Sequence, residues 1–185
     1  MMSKSLEERI RVLEDVKEIR EIMAKYAYTM DMGDWDGVLS CYAKECSADF
    51  GNFGGGKTRA ELEYFYRKHL ETQFATFVHR ITNEIIEVKD DKNATGRWYL
   101  DEPNVLQTTK SAAWLAGTYY VDFVKEEEKW LIKRCVVRDW RFVTDYDKGW
   151  GREPFTVPGS RTPEDIAADQ KRWERAHKLM ESGGR

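Results

Sequence analysis

The stretch FATFVHRITNEIIEVKDDKNATGRWYL, residues 74–100, decides the fold. Two runs rich in Val, Ile, Thr and aromatic residues flank the charged turn Asp90-Asp91-Lys92-Asn93, so it reads as a hairpin of Phe74–Lys89 against Ala94–Leu100. Two more strand-like runs follow, Ala112–Lys125 and Lys129–Phe142, joined by Glu126-Glu127-Glu128. Strands this long are expected to bend, and Gly96 and Gly117 are the expected bend points.

Upstream the pattern turns helical. Ser5 and Glu8 form a capping-box pair, and Leu6, Ile10, Leu13, Ile19, Met23, Tyr26 and Met30 recur on roughly one helical face, predicting a helix over 5–31 that Gly33 stops. Asp34 is the expected N-cap of a short helix from Trp35 to Tyr42, and Ser-Ala-Asp-Phe, 47–50, reads as a short strand. GNFGGG, 51–56, is a turn or loop; with Lys57 and Thr58 it is only a chance match to a phosphate loop. Thr58 and Glu61 open a further helix to about Glu71, with Leu62, Phe65, Tyr66 and His69 on one side. Residues 143–160 read as irregular, and Thr162-Pro163-Glu164-Asp165 starts a last helix ended by Gly183 and Gly184. Helices followed by an antiparallel meander give an α+β class. A curved sheet wrapped on the first helix would enclose a cone-shaped cavity.

The composition narrows the function. The chain has 185 residues, 41% hydrophobic and 34% charged, and a net charge of −3, which fits one globular domain with no dominant basic face. Nucleic acid is therefore not an expected partner. No apolar run is long enough to span a bilayer, and the N-terminus has no signal-peptide core, so no membrane partner and a cytoplasmic address are expected. The three cysteines, Cys41, Cys46 and Cys135, lack a framework spacing and read as free buried thiols. The three histidines, His69, His79 and His177, show no zinc spacing, so no metal is expected. Aromatics at 13%, with 7 Trp, suit an aromatic-lined cavity or an aromatic core.

His79 is the first candidate for chemistry. On an alternating strand it shares a face with Phe77, Ile81, Asn83 and Ile85, the more apolar side. A lone buried histidine is commonly just a satisfied core residue, but a nearby carboxylate would make it a general acid or base. Asp31 closes the first helix, where the dipole disfavours an anion, so a compensating partner such as a histidine is expected. Tyr26 and Tyr28 lie one turn earlier and could line the same cavity or simply pack. Glu102, before Pro103, reads as a carboxylate at a strand end; Arg138, among apolar residues, as an inward charge or an edge residue.

A long helix with Tyr26 and Asp31 near its end, Asp34-Trp35 opening a short helix, His79 with Asn83 and Ile86 beyond it, and Ala94-Thr95-Gly96-Arg97-Trp98-Tyr99-Leu100 together resemble the SnoaL-like group of the NTF2-like superfamily. Within it the pattern is similar to the bile acid 7α-dehydratases and, more distantly, the scytalone dehydratases. The resemblance covers about residues 5–145 and leaves 146–185 as a C-terminal extension. It implies an NTF2-like (cystatin-like) cone-shaped barrel, with N-terminal helices packed on a strongly curved mixed, mainly antiparallel sheet. It implies a cofactor-independent lyase in which His79 and Asp31 form a catalytic dyad with Tyr26, while Arg138, Glu102 and Phe50 contact substrate; Tyr28 and Trp114 are further expected substrate contacts. Phe50 stands where the family carries a second tyrosine, which removes one hydroxyl from the site. The implied substrate is a bulky hydroxylated aromatic or polycyclic, steroid-like molecule, and the implied assembly a homotrimer through the outer sheet face, with Tyr119 and Val121 at the interface. Formaldehyde removal from lignin-derived diaryl compounds, polyketide cyclisation or isomerisation, and a non-catalytic role like that of dioxygenase small subunits are the alternatives.

Overall fold

The computed structural model describes residues 5–143; the expected C-terminal helix and the rest of the 146–185 extension lie outside them. Helix α1 runs Leu6–Asp31. Its N-terminus is fixed as the sequence predicts: the Glu8 N–H donates to Ser5 Oγ at 3.2 Å, and the Ser5 N–H to the Glu8 carboxylate at 2.8 Å. The buried face is Asp15, Ile19, Met23, Tyr26, Ala27 and Met30, one heptad-like stripe. Full burial of Ile19 or Met23 is worth about 1.5–3 kcal/mol each. Leu6, Ile10 and Leu13, expected on the same face, are exposed. Arg11 already meets Asp91 in the turn beyond the sheet, so the helix start overshoots its support.

Helix α2, Trp35–Ser40, is capped by Asp34, whose side chain accepts the Gly37 N–H. Strand β1, Tyr42–Asp49, begins five residues earlier than its 47–50 signal. GNFGGG forms a 3₁₀ turn at Gly51–Phe53 and the two-residue strand β2, Gly55–Gly56. Gly54 and Gly55 have φ of 108° and 140°, backbone that a side chain rarely adopts. The next helical segment is not continuous: α3, Arg59–Tyr64, passes through a π turn at Phe65–His69 into α4, Leu70–Gln73. Leu62, Phe65 and Tyr66 are buried as expected, whereas His69 is exposed.

The sheet consists of β1, β2, β3 (Phe74–Phe77), β4 (Arg80–Val88), β5 (Asn93–Leu106), β6 (Ala112–Glu126) and β7 (Lys129–Val143). Its order is β2-β1-β7-β6-β5-β3, with β4 also paired to β5. Only β1–β7 is parallel, so the sheet is mixed and mainly antiparallel. Four of the six strand pairs carry register shifts, one of them at Gly117 as expected. Such bulges add bend and twist, and the sheet curls into a half-barrel around the helices. Gly96 is not a bend point: it stays in register, and a Cβ there would run into the Trp98 ring.

Two corrections concern the deciding hairpin. The run Phe74–Lys89 is two strands, broken at Val78-His79. Opposite the break stands Pro103, whose carbonyl accepts the Val78 N–H at 3.1 Å but which has no N–H to return. A second interruption falls at Asn83, where φ is 56° and the register slips between Thr82 and Ile85. A slip reverses the faces, so Ile86 and Val88 pack on the core, and Ile85, expected beside His79, is 58% exposed.

Candidate active site

The sheet break is what frees His79. Its backbone N–H leaves the ladder and donates to both Asp31 carboxylate oxygens, at 2.9 and 3.1 Å. Its ring Nδ1 lies 2.8 Å from Asp31 Oδ1. An ionised carboxylate only accepts, so Nδ1 carries the proton and Nε2 presents its lone pair on the far side of the ring. The structure thus brings Asp31 and His79, paired in the sequence reading, within hydrogen-bond distance. Asp31, at the unfavourable end of the α1 dipole, is compensated by these donors.

Glu102 faces Nε2, its Oε2 at 3.6 Å. It is not at a strand end. Strand β5 continues to Leu106, and Trp98, Leu100, Glu102 and Asn104 alternate inward along it. Burial is the main force raising the Glu102 carboxyl, opposed by His79 and aided by the Asp31 charge, and it reaches about 7. Burial pulls His79 down, but Glu102 and then Asp31 outweigh it and the net shift is upward. Both groups therefore hold their protons more tightly than they would in water.

This polar group closes one end of an apolar cavity walled by Phe50, Phe53, Phe65, Phe74, Phe77 and Leu115. The centre of a water-sized sphere can occupy about 40 Å³ of it, room for roughly three waters at about 10–15 Å³ each. That space is smaller than the roughly 150 Å³ that takes up benzene, so a ring compound of any size enters only as the phenylalanine wall moves outward. The π turn places Phe65 on the wall and Tyr66 behind it. Tyr26 also lines the cavity, its ring edge-on to His79 with centroids 6.5 Å apart. Behind it, Tyr66 lies 3.4 Å from the Tyr26 hydroxyl and 2.8 Å from that of Tyr42. Burial drives the pKa of all three, and that of Tyr119 on the cavity wall, upward, so these hydroxyls stay neutral.

Three expected substrate contacts do not reach the cavity. Tyr28 is 70% exposed, because it lies about 200° around α1 from Tyr26. Arg138 points outward and binds Asp49 at 2.7 Å. Trp114 alternates with the inward Ala113 and Leu115 and donates its indole N–H to Asp101. Phe50 does line the cavity. Tyr119 and Val121, expected at a subunit interface, are buried inside the chain. Sequence reading missed Tyr66, the place of Tyr119 on the cavity wall, and four of the five wall phenylalanines, Phe53, Phe65, Phe74 and Phe77; the inward alternation from Trp98 through Leu100 could have shown that Glu102 is buried.

Cys41, Cys46 and Cys135 are free and buried, and burial pushes the Cys41 and Cys135 thiols up to about 11 and about 12. Among the described residues no three His, Cys, Asp or Glu side chains converge as a metal site, and no helix is long and apolar enough to cross a membrane.

The SnoaL-like domain profile matches residues 11–136. The chain belongs to the SnoaL-like domain family. Among solved structures, it is similar to a scytalone dehydratase-like protein from Novosphingobium aromaticivorans at 18% identity and a TM-score of 0.65, over 80% of this chain and 97% of that one. A hexachlorocyclohexane dehydrochlorinase from Novosphingobium barchaimii matches at 13% identity and a TM-score of 0.67, over 80% and 99%. An NTF2-like protein with a cystatin-like fold from Novosphingobium aromaticivorans matches at 21% and 0.53, over 71% and 86%. At these identities the likeness carries the fold: the SnoaL-like chain has the NTF2-like, cystatin-like α+β architecture that its sequence resembles. No curated protein matches it significantly in sequence.

Proposed function

We propose that this SnoaL-like protein is a cofactor-independent carbon–oxygen lyase that eliminates water from a compact hydroxylated ring compound. The observation that carries the reading is the Asp31–His79–Glu102 array at the polar end of a phenylalanine-walled cavity. His79 Nε2 takes a proton from the carbon next to the carbinol, and the C–H electron pair forms the double bond. The protonated Glu102 carboxyl gives its proton to the departing hydroxyl, which leaves as water. Asp31 supports the imidazolium, and the Tyr26 hydroxyl holds the substrate oxygen. The imidazolium then returns its proton to Glu102 across the 3.6 Å gap, which resets both groups with no net proton exchanged.

The similarity to scytalone dehydratase-like and dehydrochlorinase structures supports elimination as the reaction class. The neutral, proton-donating Glu102 favours hydroxide, which needs protonation to leave, over chloride, which does not. The homotrimer reading keeps the outer sheet face but moves to Ile85 and Tyr99, which are 58% and 59% exposed. The test is incubation of the protein with a panel of cyclic and benzylic alcohols, with mass spectrometry for products lacking one water. Turnover that His79→Ala abolishes supports the reading; turnover undiminished in His79→Ala refutes it.

A further inference from the structure

We infer that the cavity is a charge filter, admitting neutral and cationic single-ring ligands and rejecting anionic ones. The inference deepens the elimination reading and rests on it for the choice of site. Two carboxylates serve one imidazole at the polar end, with Glu102 and His79 side chains 7% and 6% exposed and Asp31 18%. With Asp31 ionised, the three groups together carry −2, −1 or zero as protons are added, and never a positive charge. The walls are phenyl rings, which offer an anion neither a hydrogen-bond donor nor a counter-charge.

Among the described residues no lysine or arginine lines the cavity. The nearby cations in sequence and fold are engaged elsewhere. Arg80, next to His79, turns outward to Asp101 at 3.0 Å. Arg138 is held by Asp49, and Arg59 donates to the carbonyls of Tyr42 and Ala43. An entering carboxylate or phosphate would lose its water with no counter-charge, beside two acids whose field is weakly screened. A neutral alcohol loses little, because His79, Glu102, Tyr26 and Tyr119 offer it both donors and acceptors.

The experiment is a titration of the full chain at pH 7.5 with three ligands of one shape: benzyl alcohol, benzylammonium and benzoate. Binding is followed through the His79 ring resonances, so that contact elsewhere on the surface is not counted. The expected result is benzoate at least tenfold weaker than benzyl alcohol, with benzylammonium equal to or tighter than the alcohol. In Glu102→Gln the gap between alcohol and benzoate should shrink at least threefold. Benzoate binding as tightly as benzyl alcohol overturns the filter and leaves the elimination reading standing. A folded Glu102→Gln protein with an unchanged gap also overturns it, as does failure of all three ligands to bind. If the variant does not fold, the wild-type order decides. Selective binding of the alcohol, with no alcohol ever turned over, removes the elimination reading and leaves the filter.

Discussion

The Glu102 carboxylate stands 3.6 Å from His79 Nε2, on the side of the ring opposite Asp31. One imidazole is thereby held between two carboxylates of unequal character. Asp31 receives three contacts from the His79 N–H and ring; Glu102 is buried and its carboxyl is raised to about 7, which suits it to donate a proton.

Glu102→Gln therefore keeps the shape and deletes the proton donor. If the proposed dehydration is the reaction, the expected loss in kcat on its alcohol is about 10²–10⁴-fold, with KM changed far less. Steady-state kinetics of the variant against the parent checks it. A kcat within threefold of the parent would remove Glu102 from the mechanism.

The same burial makes stability depend on pH. Glu102 is raised from 4.5 to about 7 on folding, so the folded state binds the extra proton between those values. Its contribution is full below about 4.5 and is lost as pH rises through about 7, on the order of 3 kcal/mol. His79 is also raised, so its contribution has the same sign, present below about 6.5 and lost above its folded value. Urea denaturation between pH 5 and 8 should show stability falling with pH in the parent and a flatter curve in Glu102→Gln. A parent curve that rises over this range would contradict the assignment.

Asp31 has two tasks, and its variants should separate them. Asp31→Asn keeps an oxygen for the His79 N–H but loses the charge that supports the imidazolium. We expect stability within about 1 kcal/mol of the parent and kcat lowered about 10²-fold or more. Asp31→Ala also orphans the part-buried His79 backbone donor, for an expected stability loss of about 1–3 kcal/mol. Equal stability of the two variants, measured by thermal melting, would show that the backbone contact is of no consequence.

The fold was legible because its evidence is local: a capping box at Ser5, a stripe of apolar residues on α1, and charged turns between β-rich runs. The pairing of Asp31 with His79 was legible because an anion at a helix C-terminus needs a partner. What the sequence hid depends on the ladder. Pro103 looked like a strand end, yet β5 runs through it, and its missing N–H breaks the facing strand at Val78-His79 instead. That one misreading concealed both the burial of Glu102 and the split of Phe74–Lys89. The slip at Asn83 likewise reversed Ile85 and Ile86, because a period of two carries no memory across a bulge. Arg138 and Trp114 were misplaced for a related reason: an apolar neighbourhood in sequence does not say which face of a strand a side chain takes.

The outer sheet face offers an assembly test. Ile85 and Tyr99 are exposed on paired strands, a surface that single soluble domains tend to avoid when it extends. Light scattering of the parent at micromolar concentration should give three chains, and Tyr99→Glu should shift it towards monomer with the helix content unchanged. A monomeric parent would end this reading.

Away from the cavity, Asp15 ties α1 to the β6–β7 hairpin. It is 3% exposed, and its Oδ1 accepts from Lys125 Nζ at 2.6 Å and from Trp130 Nε1 at 2.7 Å. The Lys125 ammonium also lies 5.1 Å from the Trp130 ring centroid, and its side chain is only 16% exposed. Removing the anion leaves a poorly hydrated ammonium and a buried indole donor unpaired. Asp15→Ala should therefore cost about 3–5 kcal/mol. Asp15→Asn, which keeps an acceptor for the indole, should cost less. The double variant Asp15→Leu with Lys125→Met removes both charges and should recover most of the loss, because a well-packed apolar pair can replace a buried ion pair. None of the three should alter ligand binding, since Asp15 lies about 24 Å along the helix from Asp31. Urea denaturation of the three variants measures the order; an Asp15→Ala loss below about 1 kcal/mol would mean that Lys125 finds water and the tie is ornamental.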